Sequence, residues 1–130
     1  MRSLWAHRDI DAPAGVLWRL LTDVDTWPEW GPSVRAAELH SPRFDVGARG
    51  TVTPVTGGSL PFEITHVDDG HRWKWKVAGI PATEHVVDPL DPQRCRVGFG
   101  VPWAAAPYLA VCRLALRRLD TMAAPDRTAR

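Results

Sequence analysis

The chain has 130 residues, enough for one domain with a full hydrophobic core. Sixteen Lys and Arg stand against 15 Asp and Glu, for a formal charge of +1, so the basic excess of a nucleic-acid or anionic-membrane binder is missing. Two cysteines, Cys95 and Cys112, form no disulfide framework or zinc motif, the opening residues show no apolar leader core, and no apolar run reaches the roughly 20 residues of a membrane span. The expectation is a cytoplasmic protein with reduced thiols, no metal, no cofactor, no nucleic-acid partner and no membrane insertion.

The first predicted element is a strand over Ser3–Ile10, with Leu4, Ala6 and Ile10 on one parity and Trp5, His7 and Asp9 on the other. Asp11-Ala12-Pro13 reads as a helix start, because proline lacks an N–H that would be unpaired at the first helical position. Val16, Leu17, Leu20 and Leu21 give this helix one apolar side as far as Thr22, with Trp18 beside them. Pro28 and Gly31-Pro32 break residues 23–30 into a short second helix or turn. From Val34 to Val101 the period becomes two, predicting strands over 34–40, Arg49–Pro54, 60–65, Arg72–Val77, 83–87 and 95–101. Gly57-Gly58 and Asp69-Gly70 supply hairpin turns, Gly79 and Pro81 end the fifth strand, and residues 88–92 form a loop. The alternation is clearest where Trp73, Trp75 and Val77 oppose Arg72, Lys74 and Lys76, which describes a half-buried antiparallel strand with one wet face. Residues 104–123 have helical period, with Tyr108, Cys112, Ala115 and Leu119 on one arc and Arg113 and Arg117 opposite. The domain is expected to span 1–124, and the polar tail 125–130 to fray.

Six consecutive hairpin-linked strands with one wet face need a cover for the dry face, and one long amphipathic helix is available. A curved sheet around one helix leaves room for an apolar hollow. Ile10-Asp11-Ala12-Pro13, Leu17-Trp18, Asp23-x-x-x-Trp27-Pro28-x-Trp30, Gly47-x-Arg49-Gly50, Phe62-Glu63-Ile64-Thr65, Trp73-x-Trp75 and His85-x-Val87-x-Pro89 follow one another in an order that resembles the polyketide cyclase/dehydrase-like proteins of the START-type, helix-grip (SRPBCC) superfamily. The resemblance covers nearly the whole chain. It implies an α+β helix-grip fold: a seven-stranded antiparallel sheet curved around a long C-terminal helix, two short helices after the first strand, and a cavity for apolar or aromatic molecules. Members include aromatases and cyclases, lipid and quinone carriers and ligand receptors, and one fold hosts many functions. The first expectation is binding of a small hydrophobic molecule, such as a polyketide, lipid or isoprenoid. The alternatives are a cyclase, aromatase or dehydratase acting on a poly-ketone, and an interaction module without a ligand.

Parity aims Trp73 and Trp75, with Phe62 and Ile64 before them and His85 and Val87 after them, at one space under the helix. Phe99, Tyr108, Cys112 and Trp27 complete the expected ligand set. Large aromatics serve equally as core, so Trp27 and Trp30 either line the mouth or plug the sheet end. Asp23 is expected to hold the following turn through its carboxylate. His85 reads as an acid or base near neutrality, or as a buried histidine satisfied by a neighbouring strand. Tyr108 either reaches the cavity entrance or packs, so His85 and Tyr108 are the catalytic candidates. His66, Arg49 and Cys112 are further polar groups that could point inward, Cys112 reading mainly as a small core residue. Glu63 falls on the outer parity.

Overall fold

The computed structural model describes residues 3–128. Strand β1 (Ser3–Ile10) leads into helix α1 (Ala14–Thr22), a 3-10 turn (Val24–Thr26) and the short helix α2 (Trp27–Trp30). Six strands follow: β2 (Val34–Leu39), β3 (Arg49–Pro54), β4 (Leu60–Asp68), β5 (Arg72–Val77), β6 (Ile80–Asp91) and β7 (Arg94–Pro102). A 3-10 segment (Trp103–Tyr108) then enters helix α3 (Leu109–Thr128). The strands form one antiparallel sheet in the order β1-β7-β6-β5-β4-β3-β2. Only β1 leaves sequence order, pairing with β7 from Ser3 opposite Pro102 to Ile10 opposite Cys95. This is the expected helix-grip fold.

Register irregularities after Val34, Ile64, Lys74 and Pro89 add twist and bend the sheet. Its concave face is covered by α3, which packs on β1, β7, α1 and α2. Cys112, Ala115, Leu116, Leu119 and Ala123 are buried on the inner side of α3, and Arg113 and Arg117 are exposed. Cys112, Ala115 and Leu119 of the arc read from the sequence grip the sheet, whereas Tyr108 falls in the preceding 3-10 segment and stays 36 % exposed. On the face of β1 that carries Ala6 and Ile10, Arg8 Nε bonds Asp120 Oδ2 at 2.8 Å and ties the edge strand to α3.

Several boundaries differ from the sequence reading. The 88–92 loop is mostly strand, since β6 runs to Asp91. Its partner β5 ends at Arg72 opposite Val86, so Pro89 has a neighbour on one side only and its missing N–H breaks no ladder. Pro81 likewise lies inside β6, because Ala78 (φ 52) and Gly79 (φ 78) make the fifth-to-sixth connection a two-residue turn of left-handed residues. The closing α-helix starts at Leu109, not at 104; Pro107 and a non-helical Ala105 keep the preceding six residues 3-10. Its backbone continues to Thr128, so the expected tail begins inside the helix and ends outside the described residues. Two polar candidates also move outward. The bulge after Ile64 reverses parity, exposing His66 and turning Val67 inward. Arg49 is exposed and lies 3.7 Å from Glu63 on the outer face.

Candidate functional site

The D-x-x-x-W-P-x-W element works as a cap for α1. Asp23 Oδ1 accepts the Asp25 backbone N–H at 3.0 Å. The indole N–H of Trp27 donates to the Leu21 carbonyl at 3.0 Å, and that of Trp30 to the Leu20 carbonyl at 3.1 Å. Both indoles thus satisfy carbonyls that the end of α1 leaves unpaired, and the same bonds aim their rings under α3. Trp27 then stacks on Trp73, centroids 5.5 Å apart and planes within 4°. Trp73 stacks on His85 at 3.7 Å. Trp75, Phe62 and Phe44 close on this stack edge-on or tilted. These six rings occupy much of the concave space that the sequence left open as a cavity.

His85 is 3 % exposed, and its hydrogen bonds fix its proton. The Trp73 carbonyl can only accept, so Nδ1, 3.4 Å away, carries the hydrogen. Nε2 is therefore bare and accepts from the Thr83 hydroxyl at 3.0 Å. Thr83 Oγ1 in turn accepts the Trp75 indole N–H at 3.1 Å. The chain runs Trp75 to Thr83 to His85 to the Trp73 carbonyl, and both imidazole nitrogens are occupied. Burial holds the ring neutral, pushing its pKa from 6.5 down to about 3, with the Trp73 hydrogen bond opposing in part. His85 is the satisfied buried histidine of the two readings.

Two spaces remain. A small inner chamber of about 40 Å³ is bounded by Trp27, Trp73, His85, Phe99 and Cys112, among others; it holds a few waters at most. A larger outer groove of about 520 Å³ opens at the end of the sheet, between Val52, Leu60, Val77 and Ile80–Thr83 on one side and Val101–Tyr108 on the other. Ser33, Val34, Trp75, Thr83 and Tyr108 line both spaces and form the neck between them. Across this neck the hydroxyls of Ser33 and Tyr108 meet at 2.6 Å. Burial raises the Tyr108 pKa above its ordinary 10.0, against the Ser33 hydrogen bond. Burial likewise pushes the Cys112 thiol up to about 11.

Of the expected ligand set, Trp27, Trp73, Trp75, His85, Phe99, Tyr108 and Cys112 do meet around these spaces. Phe62, Ile64 and Val87 are buried in the core and line neither. The outer groove was not foreseen. Its walls come from the ends of β2, β3 and β6 and from the segment after β7, which sequence parity within one strand cannot bring together. A signal for it does exist: residues 31–34, 53–61, 77–83 and 97–112 contain no Asp, Glu, Lys, Arg or His. Antiparallel pairing gathers all four at one end of the sheet, while the opposite loops 40–45, 68–72 and 88–94 each carry both signs of charge. Ile80 of the groove wall is 68 % exposed, and so are Val55 (59 %) and Trp103 (63 %), each next in sequence to a lining residue.

Solved structures with this fold include the protein XoxI from Bacillus cereus (TM-score 0.74, 14% identity, covering 95% of this chain and 96% of that one). A START superfamily protein from Mycobacterium smegmatis gives TM-score 0.73 at 12% identity, covering 95% and 97%. The di-domain ARO/CYC BexL of the BE-7585A biosynthetic pathway gives 0.69 at 17%, covering 93% of this chain and 46% of that one. At such identities these likenesses bear on the fold alone. No curated protein matches the chain. The family described as polyketide cyclase / dehydrase and lipid transport matches residues 1–124, in keeping with the curved sheet and the helix it grips, and the chain belongs to that family.

Proposed function

We propose that the protein binds a small hydrophobic molecule in the outer groove, with the neck at Ser33 and Tyr108 as its inner limit. The observation that carries this reading is an open, almost wholly apolar groove of about 520 Å³, within the size range of small-molecule sites, at the end of the sheet where the four segments 31–34, 53–61, 77–83 and 97–112 carry no charge. Polyketide rings, acyl chains and isoprenoids all suit its volume. Cys95 and Cys112, buried and unpaired, suit a reducing, cytoplasmic setting. The test is a titration of tryptophan emission with such compounds, since Trp75 lines the groove and Trp103 is next in sequence to lining residues. Ala105→Trp, at an exposed wall position, should fill the groove and abolish the response while leaving the thermal midpoint in place. Absence of any response in the native protein would remove this reading and leave that of an interaction module.

A cyclase or dehydratase remains the second reading, and one observation favours it: Tyr108 keeps its proton and faces both spaces, so it could polarise a ketone. His85 offers no lone pair for proton abstraction while Thr83 holds it, which weighs against a catalytic pair.

A further inference from the structure

The groove reading can be taken further, to the chemical class of its ligand. None of the side chains lining the groove or the chamber is Asp, Glu, Lys or Arg. The nearest cations in sequence, Arg35 and Lys76, are exposed. Lys76 lies between groove-lining Trp75 and Val77 and opposite Glu63, so it points to the other face; Arg35 sits at the β2 bulge, exposed and outside the groove lining. An anionic head lowered into this groove would lose water and gain no counterion, which is unfavourable.

The polar groups at the neck can be counted. Thr83 spends its one proton on His85 and accepts from Trp75. Ser33 and Tyr108 hold two hydroxyl protons between them and use one in their mutual bond. The other proton has no acceptor among the described residues and sits, partly exposed, at the inner end of an apolar groove. We infer that the groove selects an uncharged apolar molecule carrying a hydrogen-bond acceptor, such as a ketone, ester or alcohol, whose oxygen takes the free proton of the Ser33–Tyr108 pair, and that it discriminates against carboxylates of the same carbon skeleton. This rests on the groove reading.

Three probes of one chain length separate the possibilities: methyl decanoate, decanol and decanoate, titrated by tryptophan emission and by calorimetry. At about pH 8 the ester and alcohol should bind, and decanoate should be weaker by on the order of tenfold or more. Lowering the pH to about 4.5 should bring decanoic acid close to decanol. The lining groups keep their charge in the folded protein over this range, and circular dichroism at both pH values is read alongside to show that the fold survives the acid arm. Cys112 is pushed up to about 11 and His85 down to about 3, and Tyr108 is raised above 10.0, so the pH change reports the ligand's own ionisation.

Ser33→Ala and Tyr108→Phe singly each leave one hydroxyl proton, and should keep most of the ester affinity. The double variant removes both and should weaken methyl decanoate by roughly tenfold. Decanoate binding as tightly as its ester at about pH 8 would overturn the inference while sparing the groove, because the head would then face water. Undiminished ester affinity in the double variant, with native thermal unfolding, would overturn it too. If the double variant does not fold, the pH and head-group comparison on the native protein still decides. Failure of all three probes to bind would bring down the groove reading with it.

Discussion

Lowering the pH should unfold this protein in part through one imidazole. In the unfolded chain His85 titrates near its ordinary 6.5, but in the native state burial pushes it to about 3. Below 6.5 the unfolded state therefore binds a proton that the native state refuses, and stability falls as pH falls. The contribution is fully present above about 6.5 and is lost progressively toward about 3. Each pH unit in that window is worth about 1.4 kcal/mol, so going from about pH 7 to about pH 5 should cost roughly 2 kcal/mol from this group alone. That is a sizeable share of the ~5–15 kcal/mol that holds a typical domain together.

Carboxylates also contribute to acid loss. Asp9, held low by its hydrogen bond to Arg96, is one of them, so the native slope by itself is ambiguous. His85→Gln removes the titrating group and leaves the carboxylates as they are. Urea melts of both proteins at about pH 7 and about pH 5 isolate the imidazole. The variant should be less stable than the native protein at neutral pH, through lost packing on Trp73, and the gap should shrink by roughly 2 kcal/mol at the lower pH. A gap that stays constant, or an imidazole ring proton titrating near 6.5 by NMR, would falsify the neutral, doubly bonded assignment.

Further outcomes follow from packing and hydrogen bonds. Gly50→Ala should destabilise by about 1–3 kcal/mol or more in thermal unfolding, since a Cβ there would overlap the Glu38 carbonyl and come within 2.6 Å of Phe62 Cζ. Ala78→Asn should stabilise by about 0.5–1 kcal/mol in urea melts, because Asn tolerates the left-handed φ better and Asn-Gly is the favoured pair for this turn. Thr83→Val should lower stability by roughly 1–3 kcal/mol by leaving the Trp75 N–H and His85 Nε2 unpaired, with a change in indole emission as its signature. Cys95 and Cys112, both buried with thiols pushed up to about 11, should resist a thiol reagent at about pH 8 in the native protein and react fully in denaturant.

The sheet and the long helix could be read directly from side-chain spacing. Charges as dense as Arg72, Lys74 and Lys76 have to be wet, and that forces Trp73 and Trp75 inward whatever surrounds them. Each β-bulge defeats the same logic, because one inserted residue inverts all parities beyond it; His66 was lost in this way. Three residues expected along the cavity line neither space, for a different reason. Phe62, Ile64 and Val87 do point inward, but the indoles of Trp27, Trp73 and Trp75 reach the space first and bury them. Which ring occupies a shared volume is decided by rotamers and by bonds such as Trp27 to Leu21, which parity does not encode. The Ser33–Tyr108 contact spans 75 positions and joins two residues that carry no motif.

The short 3-10 segment before α3 has a consequence for motion. No side chain of Trp103–Tyr108 is fully buried, Tyr108 being partly covered, yet Ala104, Ala105 and Tyr108 form one wall of the groove. The helix that follows is anchored along its length by Cys112, Ala115, Leu116 and Leu119. Local opening free energy scales with what is buried and bonded, so the wall can swing aside at a small fraction of the cost of lifting the helix. The groove's width is thus governed by the part of the molecule with the least to lose by moving, and on the groove reading proposed above a bulkier guest would be admitted through a six-residue jamb while the grip on the core stays closed.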